Sequence, residues 1–139
     1  MSKATLIAQI SDCHFPADAR QGYRGINPFE NLKTLLEKVK LLKPDLILAT
    51  GDLVHDGTPA AYRRIFSHLG SFERPVYCLP GNHDEATTLQ NTLREGRIKY
   101  VEHALQGNWH FIFLDSTIAH SEGAHLTQAT LRTLESHLR

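Results

Sequence analysis

The sequence predicts an α/β fold: a mainly parallel sheet flanked by helices. Short apolar runs alternate with longer segments of helical period, and those segments start and stop on capping residues. Each apolar run is followed by a turn carrying Gly, Asp, Asn or His. Strand–helix alternation of this kind implies right-handed crossovers and strands that run in one direction.

The elements follow in order. Residues 5–10 form a short, mostly apolar first strand. Residues 28–42 place Phe29, Leu32, Leu35, Leu36, Val39 and Leu42 at spacings of three and four, the mark of one helix face. Asn27 is a natural N-cap, Pro28 suits the first helical position, and Lys43-Pro44 ends the helix. Residues 46–50 are apolar along their length, as expected of a strand covered on both faces. Thr58-Pro59 opens a second helix with Tyr62, Ile65, Phe66 and Leu69 inward, stopped by Gly70. Residues 76–79 are a third strand, and residues 86–95 a weaker helix around Leu89 and Leu93, closed by Gly96. A fourth strand is predicted over residues 109–114, with Trp109 and Phe111 packing the sheet. Thr127 caps a last helix with Leu131, Leu134 and Leu138 inward.

A length of 139 residues suits one domain with one core. Fifteen Lys and Arg balance fifteen Asp and Glu, which argues against a general nucleic-acid binder; such a protein needs a basic face to displace counterions. No apolar run approaches the ~18 residues of a membrane span. The apolar run near the N-terminus is interrupted too soon for a secretory signal, so a cytoplasmic protein is expected. Two cysteines give no disulfide framework, whereas nine histidines direct the search toward metal or proton chemistry.

In open parallel sheets ligands bind beyond the carboxyl ends of the strands. Those ends read Asp12-Cys13-His14, then Gly51-Asp52 running on to His55-Asp56, then Gly81-Asn82-His83-Asp84, and finally Asp115-Ser116. If the four lie on one edge, their side chains converge. An extended Asp-x-His puts both ligands on one face and turns the intervening Cys13 away, toward packing. Gly-Asp alone is ordinary turn chemistry. Gly-Asn-His-Asp is rarer, arising by chance in roughly one chain of this length in a thousand. Carboxylate, imidazole and amide oxygen together suit divalent Mn, Fe or Zn and suggest no thiolate site. One carboxylate can bridge two metals about 3.5–4 Å apart, and Asp52, from a central strand, is the natural bridge. Two divalent ions with only two anionic ligands keep positive charge, attract a phosphate oxyanion and generate their own nucleophile.

These motifs, in this order, resemble the calcineurin-like metallophosphoesterases, and most closely their bacterial class III cyclic-nucleotide phosphodiesterases. The resemblance rests on residues 7–14, 49–53 and 79–84, extends through Leu114-Asp115-Ser116, and runs the length of the chain. It implies the N-terminal part of a four-layer α/β/β/α fold. It makes Asp12 and His14 ligands of a first metal, Asp52 the bridge, and Asn82 a ligand of a second. His83 faces the phosphate as transition-state stabiliser or general acid, oriented by Asp84. The implied cofactors are two metal ions (Fe, Mn or Zn), and the implied substrate is a small phosphate ester, 3′,5′-cAMP foremost. The family's closing Gly-His-x-His is absent here; only His120, His125 and His137 follow residue 115. The expectation is therefore a single, C-terminally truncated domain over residues 1–139. The alternatives are a non-catalytic remnant that holds metal or phosphate weakly, or gains ligands from a second copy as a homo-oligomer, and a phosphoesterase of the same class with another substrate. Arg20, Tyr23 and Arg24 are read as an ordinary polar loop that could also touch phosphate, and His55 and Asp56 as a solvated loop pair that could also touch metal-bound water. His68, His103, His110 and His137 sit in no motif and are expected in surface or capping roles.

Overall fold

The computed structural model describes residues 4–22, 24–93, 96–119 and 121–139. Tyr23, Arg94, Glu95 and His120 lie outside these residues. The chain runs β1 (Ile7–Ile10), α1 (Pro28–Leu42), β2 (Leu46–Thr50), α2 (Pro59–Leu69), β3 (Val76–Leu79), α3 (Ala86–Thr92), β4 (Ile98–Lys99), β5 (His103–Gln106), β6 (Trp109–Ile112), β7 (Thr117–Ile118), β8 (Ser121–Ala124) and α4 (Gln128–Leu138). The strands β1-β2-β3-β4 pair in sequence order, all parallel. The carboxyl ends of β1, β2 and β3 are therefore neighbours on one edge of the sheet.

Local chemistry sets the helix limits. Asn27 Oδ1 accepts the amide hydrogens of Phe29 and Glu30 at 3.0 and 3.4 Å, satisfying donors that the first turn of α1 leaves open. Lys43, at φ 50°, ends that helix in the left-handed conformation, ahead of Pro44. Thr58 Oγ1 caps α2 through the Ala61 amide, with Pro59 at the first position.

Strand β2 serves two cores. Ile47 and Ala49 join the main cluster with Ile10, Phe15, Leu36, Tyr62, Ile65 and Val76. Leu46 and Leu48 face the other side, where Tyr77, Ala104, Phe111 and Phe113 gather. The continuous apolar run of β2 thus reflects burial on both faces, as its composition predicts. Burying each such aliphatic side chain is worth about 1.5–3 kcal/mol, which fixes the strand's register against its neighbours.

Several expectations fail on packing. The fourth strand of the parallel sheet is β4, and the run predicted as fourth strand is β6, paired antiparallel with β5. A two-residue Gly107-Asn108 turn, with Gly107 at φ +58°, folds that hairpin. Phe111 packs inward, but Trp109 is 59% exposed. Leu35 and Leu42 of α1 also face solvent. Helix α4 buries none of its residues, with Leu131 and Leu138 exposed and Leu134 half-buried. Strands β7 and β8 carry no apolar alternation and were not legible beforehand. Among the described residues no helix is long and apolar enough to cross a membrane.

Candidate metal centre

The site begins with backbone pairing that continues past the strand ends. The Asp12 amide donates to Gly51 O (3.1 Å), His14 to Asp52 O (2.9 Å), Phe15 to Leu53 O (3.1 Å) and His55 to Phe15 O (3.2 Å). A parallel bridge joins Phe15 to Val54. The loops after β1 and β2 are thereby held side by side. Gly51 donates to Leu79 O at 3.0 Å, tying in the end of β3.

The sequence argument for Asp12 and His14 assumed extended backbone, and the structure corrects it. Asp12 (φ 55°), His14 (φ 42°) and Asp52 (φ 49°) all take the left-handed conformation. Non-glycine residues held there store of order 1 kcal/mol or more each and persist only where the surroundings enforce them. Such strain gathers at functional sites. The two ligands share a side because two left-handed turns bring them round, and the intervening Cys13 packs against the core as expected. Burial, with Asp84 and Asp12 nearby, pushes the Cys13 thiol up to about 12, so it remains protonated and inert.

Asp12, His14 and Asp52 present ligand atoms all within 4.8 Å of one another. His14 Nε2 lies 3.7 Å from Asp52 Oδ2. The ring of His83 packs edge-on to that of His14, at 4.7 Å between centroids, and the His83 amide donates to Asp52 Oδ1 at 3.1 Å. His55 completes a second group with His14 and His83, again within 4.8 Å, and stacks on His83 at 5.5 Å. The solvated-pair reading of His55 is thus replaced: its ring is half-buried inside the cluster. Asp56 stays exposed and accepts from Thr58, ordinary loop chemistry. Asn82 is exposed on the same turn as His83 and lines a cleft of about 490 Å³ with His55 and His83; its side chain makes no hydrogen bond to the cluster among the described residues. Asp115 does not converge with the others. Its carboxylate accepts from Thr117 and Tyr100 and serves a turn beyond the antiparallel hairpin.

Burial, and the positive character of neighbouring His83 and His55, holds the His14 imidazole below its ordinary range, against the opposing pull of Asp52 and Asp12. A neutral imidazole keeps its lone pair free for a cation. Two carboxylates and the clustered imidazoles form an oxygen–nitrogen donor set that fits a divalent metal of the Zn, Mn or Fe type, and contains no thiolate.

Asp84 works differently from the expectation. Its carboxylate accepts four hydrogen bonds: Gly81 N (2.8 Å), Leu53 N (3.0 Å), Val54 N (3.2 Å) and Tyr62 Oη (3.0 Å). None comes from the His83 ring. It clamps the loop after β2 to the loop after β3, and so sets where Asp52 and His83 meet. Gly81 permits this approach, because a Cβ there would overlap the backbone nitrogen and Oδ1 of Asp52.

A second cleft, of about 400 Å³, opens beside Asp12 and His14 and is lined by Arg24, Ile26 and Leu35 among others. Arg20, by contrast, is paired with Asp18 at the surface. A larger cavity, about 740 Å³, is lined by Arg63, Phe66, Leu93 and Arg97 among others and contains none of these ligand-type side chains. Donor chemistry, not volume, locates the site.

The calcineurin-like phosphoesterase family matches residues 5–136. Similar proteins include a 3′,5′-cyclic-nucleotide phosphodiesterase of Nostoc sp., 37% identical over 135 residues, which span 96% of this chain and 51% of that protein. The 3′,5′-cyclic adenosine monophosphate phosphodiesterase CpdA of Escherichia coli K12 is 33% identical over 135 residues, spanning 95% of this chain and 49% of its own. CpdA of Vibrio vulnificus is 29% identical over 136 residues, at 96% and 50%. The chain thus spans about half the length of the curated relatives it matches. With the parallel sheet, the convergent strand ends and this match along nearly its whole length, the chain belongs to the calcineurin-like phosphoesterase family.

Proposed function

We propose that this domain hydrolyses a small phosphodiester, 3′,5′-cAMP or a related cyclic nucleotide, at a metal centre on the β1–β3 edge. One observation carries the reading: three neighbouring strand ends bring Asp12, His14 and Asp52 within ligand distance, with the ring of His83 against them. In the dinuclear form of the proposal, Asp12 and His14 hold one ion, Asp52 is shared, and Asn82 contributes to the second. Divalent ions bound there would supply positive charge to the phosphate and acidify water. The chain's own groups do the rest. The clamp at Asp84 fixes the loop that carries His83, whose imidazole donates to the leaving oxygen. Clefts open on either side of the ligand group, with Arg24 on the Asp12 side, and leave room for the nucleoside beside the phosphate. The relatives' names support the substrate class.

Turnover of 3′,5′-cAMP and of bis(p-nitrophenyl) phosphate, measured with Mn²⁺, Zn²⁺ or Fe²⁺ and repeated on Asp52→Asn, tests the proposal. Metal-dependent hydrolysis that falls by about 10²-fold or more in the variant supports it. One weakly held metal per chain and no turnover of either ester would support the non-catalytic reading instead.

A further inference from the structure

We propose that His103, His110 and His137 form a second metal site, separate from the phosphoesterase centre, and that it takes Zn²⁺. The three come together only in the fold. In the β5–β6 hairpin Leu105 lies opposite His110 and His103 opposite Ile112, so His103 and His110 are diagonal neighbours on one face. Ala104 and Phe111 occupy the other face and pack on the sheet. His137, in the last turn of α4, reaches the histidine face from the side.

The geometry is close to that of a ligand set. Ring nitrogens of all three lie within 4.8 Å of one another, and His110 Nε2 is 3.2 Å from His103 Nδ1. A tetrahedral zinc with bonds of about 2.0–2.1 Å needs ligand separations of about 3.3 Å. One edge is already at that length, and the others close by rotamer adjustment of exposed or half-exposed rings. The His103 and His137 rings are 4.2 Å apart between centroids, and His110 meets His137 edge-on at 5.5 Å. Among the described residues no carboxylate or thiolate joins the group. An all-nitrogen set favours Zn over the harder Mg, Ca or Mn, and leaves a fourth position for water or an incoming ligand.

The site also has structural work available to it. Helix α4 buries none of its residues, so its attachment to the hairpin rests on few apolar contacts. A zinc ion shared between β5, β6 and the end of α4 would tie that helix down.

The test is a Zn²⁺ titration of the isotopically labelled chain, following the imidazole nitrogen resonances of each histidine. His103, His110 and His137 shifting together, with one affinity and one equivalent, is the expected result. His110→Gln and His137→Ala should each weaken that event by about tenfold or more and leave the zinc response of His14 and His83 unchanged. The zinc-dependent rise in melting temperature of the Asp52→Asn chain should shrink when His110→Gln is added. Both substitutions lie outside the core, and equal melting temperatures in chelator verify that the variants fold. If the three histidines respond independently, or not at all below millimolar zinc, or if His110→Gln binds as tightly as the parent, the cluster is only packed rings and the proposal is wrong.

Discussion

Tyr62→Phe removes a single oxygen at the junction between the core and the site. The side chain is fully buried, and its hydroxyl donates to Asp84 Oδ1 at 3.0 Å while accepting the Glu85 amide at 2.9 Å. Phenylalanine fills the same space, so no cavity forms. What is lost is one hydrogen bond to a charged group, worth about 1.5–3 kcal/mol, and the partner of one backbone amide. We expect a fall of about 2–3 kcal/mol at pH 7 in chelator. At roughly 3–5 °C per kcal/mol for a chain of this size, the melting temperature drops by about 6–15 °C.

The dependence on pH makes the test specific. Burial raises the Asp84 carboxyl above its ordinary range, although hydrogen bonds from Gly81, Leu53, Val54 and Tyr62 pull it down. Between the unfolded value and that raised one the native state binds more protons, so Asp84 makes the wild type lose stability as pH rises through the window. Deleting the hydroxyl raises the native carboxyl further and widens the window. Below it Asp84 is protonated in both states, the bond to Tyr62 becomes an ordinary neutral one, and the difference between variant and wild type shrinks toward about 1 kcal/mol. Urea unfolding at several pH values measures this. An equal penalty at acid and neutral pH, or one below about 0.5 kcal/mol throughout, would show that Asp84 does not clamp the loops as an ionised group.

Two further predictions rest on single contacts. Gly81→Ala should destabilise the chain by at least about 3 kcal/mol and weaken metal binding, because the overlap is with backbone and carboxylate of Asp52 rather than a flexible chain end; urea unfolding within 1 kcal/mol of wild type would contradict it. His68 packs edge-on to Phe15 and Phe29, the rings over which the Arg64 guanidinium sits, and burial, then Arg64 and Lys40, hold its imidazole below the ordinary range. The unfolded chain therefore takes up this proton first, so the stability advantage of wild type over His68→Gln should be flat above pH ~6.5 and shrink as the pH falls below it. An advantage that grows on acidification would reverse the assignment.

Legibility in the sequence followed the range of the interactions. Both ends of α1 were readable because Asn27, Pro28 and Lys43-Pro44 act within one turn of themselves. The double-sided burial of β2 was readable from five consecutive apolar residues. The motif residues Asp12, His14, Asp52 and His83 were found by type and order, yet the reason they converge was misjudged, since left-handed backbone at three of them depends on pairing between separate loops. His55 carried no local signal; only the Phe15–Val54 bridge turns it inward. The Gly107-Asn108 turn was a readable hairpin signal that the longer apolar run after it obscured, and missing it placed Asp115 at the wrong edge. The ring neighbours of His68 and of the trio His103, His110 and His137 were unreadable for the same cause: they are set by docking of whole elements.

The metal centre is built against the stability of its own fold. Three ligand-bearing residues stand in left-handed backbone, and the carboxylates of Asp12 and Asp52 lie within 4.8 Å. At that distance two like charges in a largely solvated setting repel by about 1 kcal/mol. Asparagine tolerates the left-handed conformation as well as aspartate does, and its carbonyl can still accept the His83 amide. The Asp52→Asn chain should therefore be the more stable one without metal, by up to about 1 kcal/mol, while binding metal less tightly. On the proposed reading a bound cation offsets this strain and repulsion, the ordinary trade of stability for function. An Asp52→Asn chain less stable than wild type in chelator would mean that Asp52 serves the fold rather than a cation.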